Sequence, residues 1–245
     1  MKLKYRHFEE LHNLDAPREI VPVIMDLVNP TSVVDVGCGL GTFIHVFKDT
    51  GVADALGIDG SWCNKELLFK YINKEEFLEK DLEQIIRIDK KFDLVVCLEV
   101  AEHLTEKRAD SFVLDLILLG DVILFSAAIP KMGGINHINE QWPDYWMKKF
   151  ESHGYVAHDI LKPFFWNNDR IWWWYRQNML FFTTREYQFK SKLALNYNII
   201  GTLIHPELFT SKTQTIDYIV RGRSSIYYYF KLLVKAVLNK CGLYK

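Results

Sequence analysis

Short apolar runs alternate with helically spaced segments through the first two thirds of the 245-residue chain. SVVDVG, ALGID, EFLEKD, FDLVVCLE and DVILFSAAIP read as strands, while APREIVPVIMDLV, GTFIHVFKDT, NKELLFKYI and KRADSFVLDLILL carry helical spacing or helix-start signals. This βαβα order predicts an α/β fold: a doubly wound, mainly parallel sheet of about seven strands with helices on both faces. After Pro130 come a loop, KMGGINHINEQ, a helix, WPDYWMKKFESHG, and two longer strand-like runs, YVAHDILKPFFW and RIWWWYRQNMLFFTT, expected to close the sheet as a hairpin. Within the last run, Trp172 to Tyr175 read as an alternating aromatic strand in the sheet core, with a stacking platform as the alternative. Arg170 and Arg176 beside it would cover a sheet edge or touch an anion. From Glu186 the pattern loosens, which divides the chain into a body over residues 1–185 and a C-terminal helical appendage over 186–245.

The appendage ends in IYYYFKLLVKAVLNKCGLYK, where Phe230, Leu233, Val234, Val237, Leu238 and Cys241 form one helical stripe with Lys231 and Lys235 opposite. Such a stripe is expected to pack on the body or on a second subunit, making a homodimer, with peripheral contact to an anionic membrane as the alternative. No apolar run approaches the length of a membrane-spanning helix. With 30 Lys and Arg against 31 Asp and Glu, the formal net charge of -1 offers no global attraction for nucleic acid. The four cysteines, 38, 63, 97 and 241, show no paired metal spacing, and three sit in apolar, strand-like surroundings, which favours a reducing, cytoplasmic setting.

The chemistry begins at VVDVGCGLGTF. Three glycines at alternate positions, Gly37, Gly39 and Gly41, imply a tightly bent backbone that approaches a ligand beyond the carboxyl end of the first strand. Asp59, in LGIDGSW about 20 positions on, is placed to accept hydrogen bonds from ribose hydroxyls. The spacing is Gly-x-Gly-x-Gly after Asp35, not the dinucleotide Gly-x-Gly-x-x-Gly, which ranks an NAD enzyme lower. Together VVDVGCGLGTF, GIDGS, EKDLE and FDLVVCLEVAEHL resemble, in order, the class I S-adenosylmethionine-dependent methyltransferases, with their Rossmann-like fold, over roughly Asn13 to Thr184. That resemblance implies S-adenosyl-L-methionine as cofactor. Asp35 and the glycines would hold its methionine part, Asp59 with Gly60 its ribose, and Asp81 and Leu82 its adenine, with Leu98 and Glu99 bordering it.

Methyl transfer from a sulfonium is an in-line displacement, so a hydroxyl acceptor needs positioning and a base or Lewis acid. In LEVAEHL, a helix beginning near Glu99 would put Glu99, Glu102 and His103 at i, i+3 and i+4 on one face. The E-x-x-E-H arrangement resembles that of metal-dependent small-RNA 3′-terminal 2′-O-methyltransferases and some ubiquinone-pathway O-methyltransferases. In the RNA group a further histidine after the fifth strand completes the site, and His137 in GGINHINEQW corresponds. The resemblance implies a divalent ion, Mn, Mg, Fe or Zn, on Glu99, Glu102, His103 and His137. Without an ion, His103 or His137 would be the general base, and in the blandest reading Glu102 and His103 merely cap a helix start. His45, His153, His158 and His205 lie outside the constellation.

The segments GGINHINEQWPDYW, WWWYRQNMLFF and IHPELF resemble uncharacterised methyltransferases that accompany sugar and surface-polysaccharide biosynthesis. They imply a sugar, nucleotide sugar or glycoconjugate hydroxyl as acceptor. The alternatives are 2′-O-methylation of an RNA 3′ end, which the charge balance disfavours, and a non-catalytic S-adenosylmethionine-binding protein, which the retained Glu and His cluster disfavours.

Overall fold

The computed structural model describes residues 9, 10, 12–191 and 203–241. It divides into two compact units, Met1–Leu203 and Ile204–Lys245.

The first unit is built on a seven-stranded sheet of order β3-β2-β1-β4-β5-β7-β6. The strands are β1 (Ser32–Val36), β2 (Asp54–Asp59), β3 (Phe77–Glu79), β4 (Leu94–Leu98), β5 (Val122–Ser126), β6 (Tyr155–His158) and β7 (Leu180–Thr184). β1 to β5 pair in parallel, and β7 runs antiparallel between β5 and β6. All five residues of β4 and of β5 are buried, which is why those strands read as continuous apolar runs and not as alternating ones.

Helices cover both faces. On one, α1 (Asp15–Leu27) and α2 (Thr42–Asp49) bury Ile20, Ile24, Ile44 and Phe47 against the sheet. On the other, α4 (Ala109–Leu119) and α5 (Pro143–Glu151) bury Phe112, Leu116 and Phe150, the last stacked on Phe182 of β7 at 3.9 Å. Pro22 sits inside α1 without ending it. A single helical turn, α3 (Lys65–Leu68), opens the segment leading to β3; Asn64 caps it through its side chain, accepting from Glu66 and Leu67 N–H groups.

Two expectations fail beyond residue 158. YVAHDILKPFFW is a strand only over Tyr155–His158 and then turns into α6 (Lys162–Phe165), where Pro163 suits the first helical turn. The aromatic run is not sheet core: Trp173–Asn178 is helix α7, and only Leu180–Thr184 enters the sheet. Stacking of Trp172 on Trp174 at 4.9 Å, with planes 5° apart, is compatible with that helix start.

The second unit contains α8 (Pro206–Val220) and α9 (Ile226–Lys240). The Tyr229 hydroxyl donates to Ile219 O at 2.6 Å and accepts from Ser224 N–H at 3.1 Å, fixing the turn between them. No side chain of α9 is buried.

Candidate active site

β1 and β4 are neighbours in the sheet, yet the chain leaves them toward opposite edges; the crevice between their carboxyl ends is where such sheets bind ligands. A cavity of about 930 Å³ opens there.

The glycine loop forms one wall. Gly37, Gly39 and Gly41 have φ of +88°, +55° and +75°, left-handed conformations that side chains disfavour. A Cβ on Gly37 would stand 2.2 Å from Val100 Cγ2, so the bare backbone lets this loop close on the turn after β4. Asp35 and Asp59 face the cavity from the ends of β1 and β2, each 4% exposed. Burial raises both carboxyl pKa values; Asp35 is pushed up to about 8, with the charge of Asp59 as the second cause. The Asp59 carboxylate accepts from Gly39 N–H at 2.9 Å and Gly60 N–H at 2.6 Å, so it also ties the loop to β2. Gly41 and Gly60 stand behind the wall. Gly41 opens α2, and the bare Gly60 seats the Trp62 ring, whose Cη2 a Cβ would meet at 2.3 Å.

Asp81 and Leu82 line the next stretch, from the loop after β3. That loop is tethered. Arg108, buried in an ion pair with Asp115, donates to Leu82 O and Gln84 O, and Asp115 accepts from Ile86 N–H. Glu83 receives the N–H and hydroxyl of Thr105, two residues after His103.

Leu98 ends β4 and Glu99 follows it into the cavity. The expected α-helical face does not form: Glu99 has φ +55°, and Ala101–His103 is one turn of 3-10 helix. Convergence arises from that tight turn together with the loop after β5. Ligand atoms of Glu102, His103 and His137 lie within 4.8 Å of one another. Glu99 is outside this group and accepts from Asn178 Nδ2 at 3.2 Å.

Both histidines are oriented. The loop is pinned by Ile138 and Asn139 N–H groups, which donate to Glu102 O at 2.9 and 3.0 Å. His103 Nδ1 lies 3.3 Å from Asn136 O, a pure acceptor, so Nδ1 carries the proton and Nε2 keeps its lone pair. Burial, then the neighbouring His137, lowers the His103 pKa to about 4, leaving it neutral near pH 7. His137 Nδ1 lies 3.1 Å from Glu140 Oε1, while its Nε2 lies 4.0 Å from Glu102 Oε1. Glu140 also accepts from Lys131 and Gly133 N–H groups; against the effect of burial, these bonds hold its pKa low. The bare Gly134 leaves room for the His137 ring, since a Cβ there would meet Nε2 at 2.2 Å.

Glu102 is fully buried; its polar neighbours are the Glu99 carboxyl and the Glu102 and Ala128 N–H groups, and none of them meets either carboxyl oxygen in good hydrogen-bond geometry. Burial, then repulsion from Glu99, raises its pKa well above the ordinary range; burial raises that of Glu99 as well. A buried carboxyl group in poor hydrogen-bond geometry, with ligand atoms of two imidazoles within 4.8 Å, is a donor set that fits a divalent cation. Opposite, Trp173, Trp174 and Tyr175 of α7 line the cavity, and Tyr175 packs edge-on to Phe43 at 6.0 Å.

Sequence reasoning missed Glu140, Gly134 and Trp62, and gave the α7 aromatics a place in the site only as the alternative to sheet core. Only the i, i+3 spacing of His137 and Glu140 in a loop carried a signal.

Residues 5–110 match a family described as a methyltransferase domain, a span that includes the glycine loop, Asp59, Asp81 and the E-x-x-E-H turn. No curated protein matches the chain. Among solved structures, the methyltransferase domain of bacterial CtHen1-C is 20% identical, with 70% of this chain and 99% of that one covered and a TM-score of 0.50. An O-methyltransferase family protein from Burkholderia thailandensis is 13% identical over 70% of this chain and 57% of that one, with a TM-score of 0.51. Magnesium protoporphyrin IX methyltransferase from Synechocystis PCC 6803, solved with bound SAM, is 19% identical, with 72% and 79% covered and a TM-score of 0.46. The likeness to the first two of these structures is one of fold. The match to a methyltransferase domain spans under half of the chain, and that span holds the glycine loop and the buried acids Asp35 and Asp59.

Proposed function

We propose that the protein transfers the methyl group of S-adenosylmethionine to a hydroxyl oxygen, with a divalent ion held by Glu102, His103 and His137, and that the acceptor is a sugar, nucleotide sugar or glycoconjugate. The observation that carries this reading is the convergence of the buried Glu102 carboxyl with two imidazoles, their ligand atoms within 4.8 Å of one another, on the cavity that the glycine loop lines.

The chain's own groups divide the work. Gly37 and Gly39 permit close backbone approach, Asp35 offers a buried acid to the cofactor's ammonium, and Asp59 and Asp81 stand where ribose and adenine contacts are expected. A bound ion would lower the pKa of a coordinated hydroxyl. Glu140 and the Asn136 carbonyl keep both Nε2 lone pairs turned inward, and Glu99, outside the triad, is placed to receive the acceptor's proton or a second hydroxyl. The acceptor oxygen then takes the methyl in line, and the sulfonium becomes a neutral thioether.

The sugar reading rests on the resemblance of the GGINHINEQWPDYW region and on the α7 aromatics, whose faces suit the apolar face of a pyranose. It is tested by incubating the protein with labelled S-adenosylmethionine, manganese and a panel of nucleotide sugars, oligosaccharides, lipid-linked sugars and RNA ends, with mass spectrometry of the products. A methylated sugar hydroxyl is expected; methylation of RNA ends with none of the sugars would overturn the acceptor assignment.

A further inference from the structure

We infer that α9 is a docking surface for an anionic lipid bilayer. This goes beyond the catalytic reading and does not depend on it. From Arg221 to Lys245 the chain holds six Lys and Arg and no Asp or Glu, leaving 24 of the 30 Lys and Arg, against all 31 Asp and Glu, for residues 1–220. Positive charge is thus segregated onto one short segment of a chain whose remainder is acidic.

The same segment displays its apolar side chains. Ile226, Phe230, Leu233 and Val237 fall on one stripe of α9 and are 88%, 62%, 62% and 53% exposed. Tyr227 and Tyr228 stand at its N-terminal end, also exposed, and Lys231 lies over the Tyr227 ring at 4.6 Å. In α8, Phe209, Ile216 and Val220 form a second exposed stripe. A helix with apolar residues on one face, Lys231 and Lys235 on the other and tyrosines at one end suits the plane of a membrane interface, with the apolar face set among acyl chains. No helix among the described residues is long and apolar enough to cross a membrane.

Charge selects the occupant. Pairing α9 with α9 of a second copy would bring two basic segments together, whereas an anionic surface is complementary to them. Docking of this kind would bring the protein to acceptors carried on lipid.

The test is sedimentation of the full chain with vesicles of phosphatidylcholine alone and of phosphatidylcholine with an equal part of phosphatidylglycerol. Binding to the anionic vesicles only, weakened by salt, is expected. Lys231→Glu with Lys235→Glu should lower partitioning at least about tenfold, and Phe230→Glu with Leu233→Glu should abolish it, with circular dichroism unchanged. Absence of binding, equal binding to both vesicle types, or wild-type binding by the Phe230/Leu233 variant would overturn the inference. So would a concentration-dependent dimer, without vesicle binding, that the same variant dissociates.

Discussion

His137 Nε2 faces Glu102 Oε1 at 4.0 Å, and no neighbour meets the buried Glu102 carboxyl in good hydrogen-bond geometry. A structural ion pair would close to hydrogen-bond distance, because leaving a buried carboxylate unsatisfied costs on the order of 1–3 kcal/mol or more. The separation leaves room for a third party bonded to both.

Glu102→Gln follows from that geometry. The amide keeps the shape but cannot become a charged ligand, and without an ion burial already holds Glu102 toward its neutral form, so in chelator the variant should melt close to the wild-type temperature while methyl transfer falls at least about a hundredfold. Thermal unfolding and turnover measured on one preparation decide it; a variant that unfolds early would show Glu102 to be a structural group.

Glu140 and Gly134 position His137 without entering the triad. Glu140→Ala should weaken ion binding or activity about 10–100-fold, and Gly134→Ala should do the same by displacing the ring. Both should raise the manganese concentration needed for half-maximal turnover while S-adenosylmethionine affinity stays unchanged. An unchanged manganese requirement would reduce the pair to loop structure.

Gly37→Ala combines a left-handed penalty of roughly 1–2 kcal/mol with a collision against Val100 of about 1–3 kcal/mol. Denaturant unfolding should show both losses in the single variant and relief of only the second when Val100→Ala is added. Full recovery in the double variant would mean that backbone strain plays no part.

Much of this architecture was legible because its signals are local. Continuous apolar runs marked β1, β4 and β5, and the glycine spacing and Asp59 marked the cofactor end of the cavity. Where tertiary context decides, the reading failed. Trp172 to Tyr175 alternate as a strand would, yet α7 forms there and turns its rings toward the cavity. Glu99, Glu102 and His103 carry α-helical spacing, but a left-handed Glu99 breaks the helix and sends its carboxylate to Asn178, 79 residues on. Glu140 acts through a ring three residues away and the N–H groups of Lys131 and Gly133, which no pattern of hydrophobicity reveals.

On the proposed reading, Asp35 links cofactor binding to pH. Its folded pKa of about 8 lies above the ordinary 3.8, so folding favours the protonated form. That contribution is complete below about pH 4 and is lost as pH rises through about 8, because over this window only the unfolded chain has released the proton. Wild-type protein should therefore lose several degrees more of melting temperature across the window than Asp35→Asn. Binding of S-adenosylmethionine at neutral pH, by drawing Asp35 to its charged form, should release up to about one proton. Calorimetry in buffers of differing ionisation enthalpy reads it directly; no release would separate Asp35 from the cofactor's ammonium.

Turnover of rigorously chelated protein, measured alongside S-adenosylmethionine binding and elemental analysis, tests the account most directly. The account predicts that the chelated protein binds S-adenosylmethionine as before but transfers no methyl group, that one equivalent of manganese or another divalent ion restores transfer, and that His137→Ala cannot be restored. Full methyl transfer by protein shown to be free of metal would contradict it and leave His103 and His137 as proton acceptors instead.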